Sequence, residues 1–117
     1  MPRPREFDTD TVLAAAVDTF VRHGYTGASV DQILDAVGIR RASLYNAFGS
    51  KRGLFLTALR STHSTMPLLL VALMDLAPSD PSVRQEIREK LVAENIDARA
   101  LGDAILTRAC IERKGTA

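Results

Sequence analysis

A chain of 117 residues with 46% hydrophobic side chains can bury one sizeable core, and 15 basic against 14 acidic residues exclude a globally cationic coat for nucleic acid. A lone cysteine excludes an intrachain disulfide, suits a reducing cytosol, and is expected to fill a helix face as a small apolar residue. Two distant histidines without clustered ligands, and no glycine-rich phosphate loop, argue against an enzyme, a metal site or a cofactor.

Before Phe7 comes Pro-Arg-Pro-Arg, an arm that can place Arg3 and Arg5 in a minor groove once DNA orders it. No secretory leader is legible there, so a cytoplasmic location is expected. After the cap-rich Asp8, Thr9 and Asp10, a first helix is predicted from Leu13, Ala16, Val17, Phe20 and Val21, which recur at three and four residues. Arg22, His23 and then Gly24 are suited to its C-terminus.

Ser29 and Gln32 have the spacing of a capping box, which starts a second helix near Val30 with Ile33, Leu34 and Val37 as its apolar stripe. Gly38 follows as a left-handed C-cap, Ile39 packs back into the angle, and helical spacing resumes from Arg40 to Phe48 with Leu44 and Phe48 facing inward. Arg41, Ala42, Ser43, Tyr45 and Asn46 are left facing outward. Helix, glycine turn and second short helix, followed by the Ser50-capped start of another, make a helix-turn-helix.

Charge is distributed to match. No acidic residue lies between Asp35 and Asp75, whereas Arg40, Arg41, Lys51, Arg52 and Arg60 do. A surface approaching phosphates gains from each cation that releases counterions and loses from each carboxylate, although a short cationic run is more often a solvated face.

Residues Phe7 to Leu59 resemble the DNA-binding domain of the TetR (tetracycline repressor-like) family, most sharply in SLYNAFGSKRGLF, Ser43 to Phe55, and also in LAAAVDTFVRHGYTGASV upstream. The resemblance implies an all-α fold: a homeodomain-like three-helix bundle with a helix-turn-helix over residues 1–50, then a helical regulatory and dimerisation segment over 51–117 reached through a longer fourth helix. It implies a ligand-released repressor that binds a palindromic operator on double-stranded DNA as a homodimer, with a small apolar effector in the helical body. By position, Arg41, Ala42, Ser43, Tyr45 and Asn46 would lie on the recognition helix, Lys51 would reach a backbone phosphate, and Thr26 and Ser29 would touch phosphate from the start of the second helix.

The residues bear on those roles individually. Arg41 can grip guanine O6 and N7 with two teeth, or touch phosphate instead. Tyr45 can meet a phosphate or a thymine methyl while its ring packs, and Asn46 can read adenine or remain solvated. Lys51 gains from the free N–H groups beside the Ser50 cap, since both favour an anion. Ser29 already has work as a cap. Arg40 stands where the family usually places a capping Ser, so a cap is lost and a cation gained. Asp31 is given a helix-dipole role and no DNA contact.

Beyond Ser61, Pro67 to Leu76 is an apolar run broken by LAPSDP, and Pro81 sits at an N1 position behind Asp80. The longest apolar run, Met66 to Met74, includes Pro67 and is far short of the ~20 residues of a membrane span. Val83, Ile87, Leu91, Ala98, Leu101, Ile105 and Ala109 share one face, which predicts a single long helix from Pro81, loosened near Asn95 and Asp97, ending before Gly115. The regulatory segment is shorter than the family's usual body, and its terminal dimerisation pair is not visible. A second possibility is therefore a helical interaction module, or a truncated regulator fragment without operator binding of its own, pairing through leucines of the tail unless these fold back onto the first and fourth helices.

Overall fold

Asp8 opens the first helix, its carboxylate accepting from the Asp10 backbone N–H at 3.0 Å. The computed structural model describes residues 8–111; Arg3 and Arg5 lie outside them. Helix α1 spans Thr9–Gly27 and is broken at Gly24, whose φ of 75° ends the regular helix where the sequence predicts. Helix α2 spans Val30–Val37 and ends on Gly38 in the left-handed conformation, φ 70°. That conformation is costly for any residue with a Cβ.

Helices α3, Arg41–Phe48, and α4, Lys51–Arg60, follow. The turn between them is very tight: a Cβ on Gly53 would lie 2.1 Å from the Phe48 carbonyl oxygen, so only glycine lets the first turn of α4 close against the end of α3. The fourth helix exceeds α2 and α3 in length but not α1. It stops at Ser61, whose hydroxyl donates to the Ala58 carbonyl at 2.7 Å.

Thr65 then caps α5, Met66–Val71, with Pro67 in its first turn. The chain continues through a wide π-helical turn, Ala72–Leu76, and a 3-10 turn, Ala77–Ser79, to α6, Pro81–Ala93, capped by Asp80. The single long helix expected from Pro81 is not formed. Glu94 to Asp97 interrupt it, Asn95 takes a φ of 54°, and Asp97 caps a separate α7, Ala98–Arg108, by accepting from the Ala100 N–H at 2.9 Å. Asparagine tolerates the left-handed region, and an aspartate two residues on offers a fresh cap, so local polar chemistry outcompetes the continuous apolar stripe. The stripe also fails by burial. Val83 and Ile87 are buried and Leu91 and Leu101 partly so, but Ile105 is 44% exposed and Ala109 is exposed. Cys110 does not fill a helix face either; it lies exposed beyond α7 with a φ of 61°.

One apolar cluster unites these elements. Val12, Ala16 and Phe20 of α1 meet Ile33 of α2, Leu44 of α3 and Leu54, Phe55, Ala58 and Leu59 of α4. The tail adds Leu68, Leu69, Val71, Ala72 and Leu76, then Val83 and Ile87. The leucine-rich segment thus folds back, with α5 lying against α1. Thr19, a buried polar residue, donates its hydroxyl to the Ala15 carbonyl at 2.8 Å and so remains satisfied. The described residues form an all-α fold in which α1, α2 and α3 are the three-helix head and α2, the Gly38 turn and α3 are the helix-turn-helix. None of the described helices is long and apolar enough to cross a membrane.

Candidate nucleic-acid interface

Three helix starts border the candidate interface. At the first, Ser29 forms the expected capping box: its Oγ accepts from the Gln32 N–H at 3.2 Å, and its own N–H donates to Gln32 Oε1 at 2.8 Å. This holds the start of α2 rigid and leaves the Ser29 hydroxyl proton for another acceptor. Thr26 is exposed in the last turn of α1, past the Gly24 kink.

The second start belongs to α3. Arg40 occupies its N-cap position in extended conformation without a side-chain cap bond, so the missing cap read from the sequence is real. Leu44, fully buried, pins α3 to the core, and Phe48 packs partly against it. The opposite side presents Arg41, Ala42 and Asn46 to solvent, whereas Ser43 and Tyr45 are less exposed.

Arg41 is not a free cation. Its Nη2 donates to Asp31 Oδ1 in the first turn of α2, its Nη1 lies 3.5 Å from the Tyr45 hydroxyl, and its guanidinium sits 5.8 Å from the Tyr45 ring centroid. Asp31 therefore does more than favour the helix dipole. The signal for this pair was present in the sequence as opposite charges in the first turns of two crossing helices, but ten residues of separation hid it.

At the third start, Ser50 Oγ accepts from the Gly53 N–H at 2.9 Å and caps α4. Lys51 is half-buried, with Nζ 4.6 Å from the centroid of Tyr25, and burial pushes its pKa below the usual lysine value. The Tyr25 ring belongs to an aromatic cluster, 5.8 Å from Phe20 and 5.4 Å from Phe55 between centroids. Burial raises the Tyr25 hydroxyl pKa, against the lowering effect of Arg52. Lys51 is thus aimed by an aromatic floor, an attraction of the cation to the ring face.

Two other cations of the acid-free interval serve the body. Arg52 makes a two-toothed pair with Asp80, Nε to Oδ2 at 2.7 Å and Nη2 to Oδ1 at 3.2 Å. Arg60 Nη2 meets Glu86 Oε1 at 2.6 Å. Both tie α4 to the α6 region, and the Arg52 hydrogen bond holds the Asp80 carboxyl below the ordinary carboxylate range, as Arg60 does for Glu86. The absence of acids between residues 35 and 75 therefore describes the chain and not the surface, since Asp80 and Glu86 return from the α6 region to pair with cations at the two ends of α4.

Head and body are also joined at the Gly24 turn. The Tyr25 N–H donates to Asp75 Oδ2 at 2.9 Å, and Arg108 Nη2 donates to the Val21 carbonyl at 2.5 Å. Between these contacts lies a groove of about 380 Å³ lined by Leu70, Val71, Met74 and Ile105, with Asp75 and Arg108 among its polar groups. No group of three or more His, Cys, Asp or Glu gathers into a metal-binding set among the described residues.

The family profile described as "Bacterial regulatory proteins, tetR family" matches residues 12–58, from the first turn of α1 to near the end of α4. Through that segment the chain belongs to the tetR family. This tetR-family chain is 37% identical over 110 residues to the uncharacterized HTH-type transcriptional regulator YezE of Bacillus subtilis, covering 94% of the present chain and 54% of YezE. It is 45% identical over 53 residues to the HTH-type transcriptional repressor BdcR of Escherichia coli, covering 45% and 27% of the two chains. The HTH-type transcriptional repressor AcnR of Corynebacterium glutamicum is 34% identical over 91 residues, 68% of this chain and 48% of AcnR. The chain spans about half the length of YezE and AcnR and about a quarter of BdcR. No solved structure matches it significantly.

Proposed function

We propose that this chain is a sequence-specific DNA-binding transcriptional regulator, acting as a repressor with residues 1–50 as its DNA-binding head and 51–117 as its regulatory segment. The observation that carries this reading is the outward edge of α3, where Arg41, Ala42 and Asn46 stand exposed between the capped start of α2 and the capped start of α4 that bears Lys51. A short helix flanked by two phosphate-accepting helix starts fits a major groove, with Arg41 and Asn46 toward base edges and Lys51, Thr26 and Ser29 toward the backbone. Arg40 adds a cation beside them. The repressor names of BdcR and AcnR support the sign of regulation.

In this reading two copies act on a palindromic operator, their recognition helices entering successive major grooves ~34 Å apart. The groove beside Gly24 suits a small, largely apolar effector, because its occupant would lie next to Asp75, which holds the Tyr25 backbone and hence the floor under Lys51. The competing reading, an interaction module pairing through tail leucines, loses its surface: Leu68, Leu69, Leu70 and Leu76 are buried.

Titration of a selected and a scrambled duplex against the parent, Lys51→Ala and Arg41→Ala at several salt concentrations tests the docking. Lys51→Ala is expected to weaken both duplexes alike and to reduce the salt slope by about one; Arg41→Ala is expected also to narrow the gap between them. Two variants that bind both duplexes as the parent does would refute it.

A further inference from the structure

The pairing of Arg41 with Asp31 carries an inference that rests on the DNA-binding reading above and goes beyond it. Asp31 and Arg41 occupy the first turns of α2 and α3, so their contact bridges the two helix starts that frame the groove-facing edge. Their side chains are 69% and 51% exposed, and an ion pair that open to water contributes little to folding. A carboxylate at this place also repels the polyanion it must approach. Both costs point away from stability or affinity and toward geometry.

An arginine at the head of a recognition helix has many rotamers, and several of them reach phosphate, which reads no sequence. Here two neighbours restrict it. Asp31 takes a hydrogen from Nη2, and the Tyr45 phenol, one helical turn along, flanks Nη1 and the guanidinium face. Of the five N–H donors of a guanidinium, Nε–H and one hydrogen on each terminal nitrogen stay unspent, enough for two parallel bonds to guanine O6 and N7. A planar fork held in advance loses less freedom on binding and accepts fewer alternative partners.

We propose that Asp31 is a positioning residue that aims Arg41 at one base pair, making discrimination at that base pair depend on a carboxylate that does not itself touch DNA. Tyr45 serves as the second stop. Free of Asp31, Arg41 becomes an ordinary phosphate-seeking cation: binding to any duplex tightens while reading at one position blurs.

The test is selection of the full chain on a randomised duplex pool, followed by per-position affinities for the parent, Asp31→Ala, Asp31→Asn, Arg41→Ala and the Asp31→Ala/Arg41→Ala pair. In Asp31→Ala, preference at the base pair read by Arg41 is expected to fall about tenfold while affinity for random duplex rises and the salt slope steepens by about one. Asp31→Asn, which retains the shape and one acceptor, should fall between parent and Asp31→Ala and serves as the readout if Asp31→Ala melts early. In the Arg41→Ala background, Asp31→Ala should change nothing at that position, because Asp31 acts only through Arg41. Full preference retained in both Asp31 variants, or equal loss at every position, overturns the proposal. A parent that selects a sequence, with Arg41→Ala blurring one base pair and the Asp31 variants blurring none, overturns this inference alone. A parent that selects no sequence overturns the DNA-binding reading with it.

Discussion

Gly53 shows how one missing side chain sets the angle of the head. Alanine is ordinarily the better helix former by up to ~1 kcal/mol, yet a methyl here would meet the Phe48 carbonyl oxygen at 2.1 Å. Gly53→Ala is therefore expected to destabilise the fold by about 2 kcal/mol, the scale of forced overpacking, read as a fall in urea midpoint with an unchanged slope. A rise in midpoint would contradict the tight α3–α4 turn. Asp80 supplies a second residue-scale case, since it both caps α6 and pairs with Arg52. Its folded pKa is lowered, so its stabilisation is present above the unfolded carboxylate value near ~4 and is lost as pH falls through the folded value. Asp80→Asn keeps a good cap and removes the charge. Thermal melts should place this variant below the parent at pH 7, with the two converging under strongly acidic conditions; a gap that persists there would assign the loss to the cap instead.

At the scale of elements, the break between α6 and α7 rests on Asn95 in the left-handed region. Asn95→Gly should preserve or slightly raise stability, whereas Asn95→Ala should lower it by about 1 kcal/mol, measured by denaturant titration. Equal stability of the two would mean that the chain can straighten into one helix. This break also marks where sequence reading ends. Helix starts and stops at Ser29, Gly38, Ser50 and Asp80 were legible because each depends on one side chain and its nearest neighbours, and the inward residues Leu44 and Phe20 were legible from periodicity. The α6–α7 stripe misled because Ile105 and Ala109 keep helical spacing yet stand exposed along the open groove between α7 and α5. Within the candidate interface, the outward positions of α3 were legible, but the partners of Arg41, Lys51 and Arg52 were not. Those partners, Asp31, Tyr25 and Asp80, come from other elements, and spacing along one helix carries no information about them.

At the scale of the whole molecule, the tail closes over the side of α1 not covered by α2 and α4, and the contacts of Asp75 with Tyr25 and of Arg108 with Val21 link it to the end of α1. Head and tail therefore share one core, so the two should unfold together in a single transition. Met74, Val92, Ile105 and Ile111 remain exposed on the tail. The edge of α3 that carries Arg41, Ala42 and Asn46 is the one proposed to face DNA. Selection of the full chain against a randomised duplex pool at near-physiological salt, with Arg41→Ala carried in parallel, tests it most directly. The account predicts enrichment of a two-fold symmetric motif whose half-sites lie about one helical turn apart, with Arg41→Ala losing information at one base pair in each half. Recovery of no motif by the parent, or of an identical motif by both proteins, would contradict it.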